Sequence, residues 1–215
     1  MPAYVSASSE VYGTAEYAPM DEEHPLNPRS PYAATKAGAD RLAYAYAVTY
    51  GLPIVVLRPF NNYGPRQHPE KLIPRFITSA LEDEPLTVHG DGSASRDWLY
   101  VDDDAEAIEA VIDIDLDAIS GHVINVATGI DLTVSEIADL VLDALGKPSS
   151  LKTHVEERPG QVHRHIGSTD KAATLLGWTA RTSFSTGLER TVAWYRDNEA
   201  WWRGVRSRSS GVYSS

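Results

Sequence analysis

The chain has no cysteine. That excludes disulfide stapling, thiolate nucleophiles and zinc–thiolate centres. No run approaches the ~18 apolar residues that cross a bilayer. The first residues, Met1-Pro2-Ala3-Tyr4-Val5, carry no basic segment ahead of an apolar one, as an export signal would. Neither a membrane span nor export is expected, and the expected location is cytoplasmic. Positive charge is scarce: 19 Lys and Arg stand against 30 Asp and Glu, a net charge of −11. Such a chain repels phosphate backbones, so nucleic acid is not an expected partner. His89, His163 and His165 have no companions at metal-ligand spacing, so no metal is expected. They read as structural or rim residues. Also missing is a glycine-rich dinucleotide fingerprint. The one Gly pair ahead of a helix, Gly90-x-Gly92, has no third Gly and lies far from any initial strand–helix–strand unit.

What is present is ordinary soluble composition, 42% hydrophobic over 215 residues, enough for one substantial domain. The acids cluster at Asp21-Glu22-Glu23, Glu82-Asp83-Glu84 and Asp102-Asp103-Asp104. Solvated surface is the expected reading of these runs, and such a surface would suit high salt. Ala3 to Ser8 reads as a strand that exits into Ser8-Ser9-Glu10-Val11-Tyr12-Gly13. Residues 14–30, rich in proline and acid, read as loop. An Ala-rich helix follows, with Ser30 as N-cap, Pro31 at its first position and Gly51 just past its end. Pro53-Ile54-Val55-Val56-Leu57-Arg58 then reads as a buried parallel strand, which completes a βαβ unit. Farther on, helices are predicted over 72–81, 102–112, 133–144, 171–176 and 187–202, and strands near 86–90, 95–101 and 122–127. The Arg/Ser/Gly-rich tail, 203–215, is predicted to be disordered.

Tyr32 and Lys36 are the chemically pointed pair. They stand four residues apart at the start of the Ala-rich helix, so they project from one face. A neighbouring ammonium favours phenolate and lowers a tyrosine's pKa, which suits the phenol to act as a base. In open α/β sheets ligands bind beyond the carboxyl ends of strands, which is where Ser8, Ser9 and Glu10 lie.

With these residues in view, the chain resembles the extended short-chain dehydrogenases/reductases, the NAD-dependent nucleotide-sugar epimerases and dehydratases. Ser8-Ser9-Glu10-Val11-Tyr12-Gly13 is similar to that family's Thr-x-Glu-Val-Tyr-Gly loop, and Tyr32-x3-Lys36 to its YxxxK pair. Arg58-Pro59-Phe60-Asn61-Asn62-Tyr63-Gly64-Pro65 is similar to its RPxNxYGP segment. Pro69-Glu70-Lys71-Leu72-Ile73-Pro74 and Arg96-Asp97-Trp98-Leu99-Tyr100-Val101 look most like the glucose 4,6-dehydratases. Arg158-Pro159-Gly160 and Leu176-Gly177-Trp178 resemble the substrate lobe.

The resemblance implies an α/β fold: a partial Rossmann, doubly wound parallel sheet with a small α/β C-terminal substrate lobe. Residues 1–65 would be the second half of the NAD-binding domain. Residues 66–200 would be the lobe, interleaved with a returning Rossmann strand and helix at about 86–127. The first half of the Rossmann domain, with its glycine fingerprint, is expected to be missing. It further implies NAD as cofactor, a nucleotide-diphosphate sugar as substrate and a homodimer through the Tyr32 helix. Tyr32, Lys36, Ser8, Ser9 and Glu10 would be catalytic. Tyr32, Lys36, Arg58 and Phe60 would hold the cofactor, and Asn62, Lys71, Arg96 and Arg158 the substrate. Glu10 favours dehydratase or decarboxylase over epimerase, because a base for the sugar C5 proton is needed only in the former. Ser9 stands where the dehydratases carry Asp, so 4,6-dehydration, UDP-glucuronate decarboxylation and 4-epimerisation all stay open. So does an incomplete enzyme, whether a truncated fragment or one half of a split pair.

Overall fold

A computed structural model describes residues 3–157 and 161–209. In chain order it contains β1 (Ala3–Ser6), a 3-10 turn (Ser9–Tyr12), α1 (Pro31–Tyr50), β2 (Ile54–Pro59), β3 (Asn61–Tyr63), α2 (Leu72–Leu81), β4 (Leu86–His89) and β5 (Ser95–Tyr100). There follow α3 (Val101–Asp113), α4 (Leu116–Ile119), β6 (Val123–Val126), β7 (Asp131–Thr133), α5 (Val134–Leu145) and a 3-10 turn (Ser149–Leu151). The chain closes with β8 (Lys152–Val155), β9 (Arg164–His165), α6 (Asp170–Leu176), α7 (Phe184–Asp197) and α8 (Glu199–Ser209). No helix among the described residues is long and apolar enough to cross a membrane.

The chain forms two compact units. The first comprises Met1–Asn62, Ala94–Leu132 and Pro159–Arg181, and the second Tyr63–Ser93, Thr133–Arg158 and Thr182–Ser215. This division differs from the expected one. The returning segment begins at Ala94 rather than near 86, because β4 pairs in parallel with β8 inside the second unit. A further stretch, 159–181, also returns to the first unit.

The first unit is built on a parallel sheet of order β1-β2-β6. Val5 lies opposite Val56 across β1 and β2, and Leu57 opposite Ile124 across β2 and β6. The central strand β2 is buried on both faces, as its unbroken apolar run requires. Val55, Leu57, Ile124 and Val126 pack with Leu99, Val111 and Trp178 on one side, and Val56 packs with Ala7 and Ala43 on the other. Among the described residues β1 has a strand on one side only. The outer edge of β6 is closed by the 20–22 loop, where Glu22 Oε1 accepts the Asn125 N–H at 2.7 Å. A second small sheet joins β3, β5 and β7, with β9 beside β5.

Helix α1 begins as its sequence dictates. Ser30 Oγ accepts the Ala33 N–H at 3.1 Å, Pro31 holds the first helical position, and Gly51 takes the left-handed conformation past the end. Its buried face is made of small residues, Ala33, Ala43 and Ala47, with Asp40 among them. Asp40 is met by Arg58 of β2: Nε reaches Oδ2 at 2.8 Å and Nη2 reaches Oδ1 at 3.1 Å. Arg58 Nη1 also donates to Tyr12 Oη at 2.7 Å, and Tyr12 donates on to Asn125 Oδ1 at 2.7 Å. Both charged partners are almost wholly buried.

In the second unit α2 packs against α5 and α7, and β4 and β8 cover α2 and α5. Thr133 and Glu136 form the capping box that the sequence predicts for α5. The single helix predicted over 187–202 is instead two, α7 and α8, divided at Asn198. Residues 203–209 continue α8 and are not disordered; 210–215 lie outside the described residues. The reason is tertiary. Trp202 is fully buried and its indole N–H donates to the Tyr195 carbonyl at 2.8 Å, while Arg203 and Arg206 both pair with Glu82. The acidic runs are likewise not all solvated surface: Glu82 clasps α8, Glu22 seals β6 and Asp103 is buried.

Two outcomes follow from this packing. Asp40→Ala leaves Arg58 buried without its counter-ion and should lower stability by about 3–5 kcal/mol in urea unfolding. Trp202→Ala should cost about 3–5 kcal/mol by cavity formation. It should also release α8, read as lost helical circular dichroism.

Candidate active site

The turn after β1 is the first part of the site. Ser8 caps it, its Oγ accepting the Glu10 N–H at 3.2 Å. Gly13 closes it with φ +72°, and a side chain there would meet the Asn27 carbonyl. Only glycine satisfies both the backbone angle and the space. Helix α1 packs on this turn. Ser8 and Glu10 are half-buried, whereas Ser9 is buried at 2% exposure.

The second part is the start of α1. Tyr32 is 58% exposed, and Lys36 Nζ lies 5.9 Å from the centre of its ring. The helical spacing thus brings phenol and ammonium together, as the sequence predicts. Tyr12 is the contrasting case. Burial pushes its phenol up to about 12 against the pull of Arg58, so it is a hydrogen-bonding strut rather than a base.

The remaining expected residues divide. Arg96 is half-buried, with Nη1 donating to the carbonyls of Ser95 at 2.9 Å and Val162 at 2.8 Å. Burial lowers its guanidinium below the ordinary value, opposed by the nearby Glu10 carboxylate. Asn62 Nδ2 donates to Asp104 Oδ2 at 2.8 Å, and burial raises that carboxyl. Arg58, expected beside the cofactor, has its guanidinium taken up by Asp40, Tyr12 and the Glu22 carbonyl. Phe60 is 3% exposed and lies against Tyr12 and His165. Lys71 belongs to the second unit, where it is exposed and pairs with Glu70 at 3.6 Å. Arg158 lies outside the described residues.

Two residues carry weight that spacing alone did not assign. Asp97 is fully buried and accepts from Thr128 N–H and Oγ1, Gly129 N–H and, at 3.4 Å, Gly167 N–H. Burial raises its carboxyl, and the four donors oppose that. It ties β5 to the loop after β6 and to the segment after β9. His165 is the other; its Nε2 lies 3.0 Å from the Ser9 carbonyl. Asp97 stands in the Arg96–Val101 motif and His165 among the histidines read as structural or rim residues, but neither role was legible, because their partners are far away in sequence.

The described residues suit one end of a dinucleotide. Exposed Tyr32 and half-buried Lys36 can meet the nicotinamide ribose, whereas nothing in the sequence supplies the glycine-rich cradle of a pyrophosphate.

Residues 2–191 match the model of the GDP-mannose 4,6 dehydratase family. The dTDP-glucose 4,6-dehydratase of Streptomyces niveus is 43% identical over 201 residues, 94% of this chain and 59% of that protein. The crystal structure of DesIV, a dTDP-glucose 4,6-dehydratase of Streptomyces venezuelae with NAD bound, superposes with TM-score 0.89 at 40% identity, over 94% of this chain and 62% of DesIV. MoeE5, solved with UDP-glucuronic acid and NAD, superposes with TM-score 0.84 at 34% identity, over 90% of this chain and 64% of MoeE5. The chain thus spans about 60% of the length of the curated relatives it matches. With its parallel sheet, its Tyr32–Lys36 pair and its Ser8–Glu10 turn, the chain belongs to the GDP-mannose 4,6 dehydratase family of NAD-dependent nucleotide-sugar epimerases and dehydratases.

Proposed function

We propose that this chain is the catalytic part of an NAD-dependent nucleotide-sugar 4,6-dehydratase, completed by a polypeptide that supplies the glycine-rich half of the Rossmann domain. The observation that carries the reading is the exposed Tyr32–Lys36 pair on a helix packed against the turn that presents Ser8 and Glu10. Bound NAD supplies the hydride acceptor for C4 of the sugar and the donor for C6. Tyr32 Oη takes the proton of the C4 hydroxyl, and the Lys36 cation stabilises the phenolate form. Ser8 Oγ already accepts from the Glu10 N–H, so its own proton is left to reach the C4 oxygen. The C4 ketone acidifies C5–H, and Glu10 takes that proton. The C5 proton then passes from Glu10 to the C6 hydroxyl, which leaves as water. The C4 hydrogen ends at C6, and C5 regains a proton from solvent. The sugar has lost one water and become a 4-keto-6-deoxy sugar. Ser9 contributes its backbone rather than its hydroxyl, since it is buried.

Arg96, with two backbone acceptors and a half-exposed guanidinium, suits the substrate diphosphate. Leu42, Tyr46 and Tyr50, spaced four apart, form an exposed apolar row on α1, which favours a homodimer through this helix. The likeness to MoeE5 with its UDP-glucuronic acid supports one second reading, decarboxylation of a UDP-glucuronate. It would use the same Tyr32 and Lys36.

The chain mixed with a separately made N-terminal half, NAD and dTDP-glucose should form a product with the alkaline ultraviolet absorbance of a 4-keto-6-deoxy sugar. Tyr32→Phe and Glu10→Gln should each lower that rate by about 10²–10⁴-fold. No product from the wild-type mixture sinks the dehydratase reading, and carbon dioxide released from UDP-glucuronate replaces it with the decarboxylase.

A further inference from the structure

The segment 162–168 is fixed from both sides. The Ser95 N–H donates to the His163 carbonyl at 2.8 Å, and β9 runs parallel to β5. On the other side Ala15 N–H reaches the Arg164 carbonyl at 3.1 Å, Met20 N–H the Ile166 carbonyl at 2.8 Å, and Ser168 N–H the Met20 carbonyl at 2.8 Å. Gly167 lets the segment lie close, since a Cβ there would stand 2.6 Å from the Phe60 ring and 2.7 Å from Ala127. His165 is thereby held at 1% exposure, its ring 4.9 Å from that of Phe60.

Its chemistry is then constrained. The Ser9 carbonyl can only accept, so the His165 Nε2 3.0 Å away must carry the proton. Nδ1 is consequently a lone pair, buried and with no hydrogen-bond partner among the described residues. Burial, with the Arg96 guanidinium nearby, pushes the imidazole down to about 4, so it stays neutral.

We propose that His165 is a positioning residue of the active site: its Nε2–H bond to the Ser9 carbonyl sets the turn that presents Ser8 and Glu10. What Ser8 and Glu10 do rests on the dehydratase reading; the positioning itself does not. The bond crosses 156 residues of sequence, from the strand beside β5 to the turn after β1. It grips the peptide of the one residue between Ser8 and Glu10. A ring that merely filled space would serve as well with phenylalanine.

Two variants separate these roles. His165→Phe keeps the ring and removes the donor, while His165→Gln can return an N–H to the carbonyl. Amide exchange at Glu10, whose N–H is bound by Ser8 Oγ, should quicken about tenfold in the Phe variant and return to near wild type in the Gln variant. In the mixture with the N-terminal half, kcat should fall about tenfold in the Phe variant with KM unchanged, and Gln should restore it. Nitrogen-15 shifts of the wild-type imidazole should report the Nε2–H tautomer at neutral pH. Wild-type exchange at Glu10 in the Phe variant overturns the proposal, as does an Nδ1–H tautomer should that variant fail to fold. An inactive wild-type mixture defeats the dehydratase reading alone, because exchange and tautomer still decide the part played by His165.

Discussion

The buried pair of Arg58 and Asp40 is the constraint on which the rest depends. Arg58 stands on the central strand, Asp40 on the helix that carries Tyr32 and Lys36, and Tyr12 at the end of the turn that carries Glu10. One guanidinium thus joins the central strand to both elements that carry the proposed catalytic groups. Two charges this deeply buried gain little net stability over an apolar pair of the same shape. Their value here is directional: a planar fork with fixed donors admits one placement of helix against strand. Tyr12 extends that placement to Asn125, so β6 is locked in the same network.

From this anchor the site follows as a sequence of local choices. Ser30 and Pro31 start α1 so that Tyr32 falls in its first turn, open to solvent. Alanines on the inner face let the helix approach the sheet and the turn closely. Gly13 bends the chain away after Tyr12 where no side chain fits. His165 and Asp97 then brace the turn and the loops beside it from β9 and β5. Tyr32 is exposed and Ser8, Glu10 and Lys36 are half-buried, while the groups that hold them are buried, as a preorganised site requires.

Much of this was legible in the sequence. The caps of α1 and α5, the apolar run of β2 and the spacing of Tyr32 and Lys36 are local signals, and the structure places them as read. What local signals could not give shares one cause, which is long-range pairing. The resemblance implies Arg58 beside the cofactor, and what the fold adds is its pairing with Asp40, 18 residues away in sequence. The tail looked disordered by composition, yet Glu82 and the buried Trp202 order it as far as Ser209. Ser9 was expected to be catalytic from its motif position, and its burial shows only in three dimensions. The lobe boundary near 86 failed for the same reason, since β4 finds its partner in β8.

In the proposed dehydratase, hydrogen passes from C4 to C6 of one sugar within one site while Glu10 removes the C5 proton. The most direct measurement is to give the chain with its N-terminal half dTDP-glucose deuterated at C4 and locate the label in the product. Deuterium at C6 of a 4-keto-6-deoxy sugar is expected. Deuterium retained at C4 of an epimerised sugar, or washed out to solvent, would contradict it.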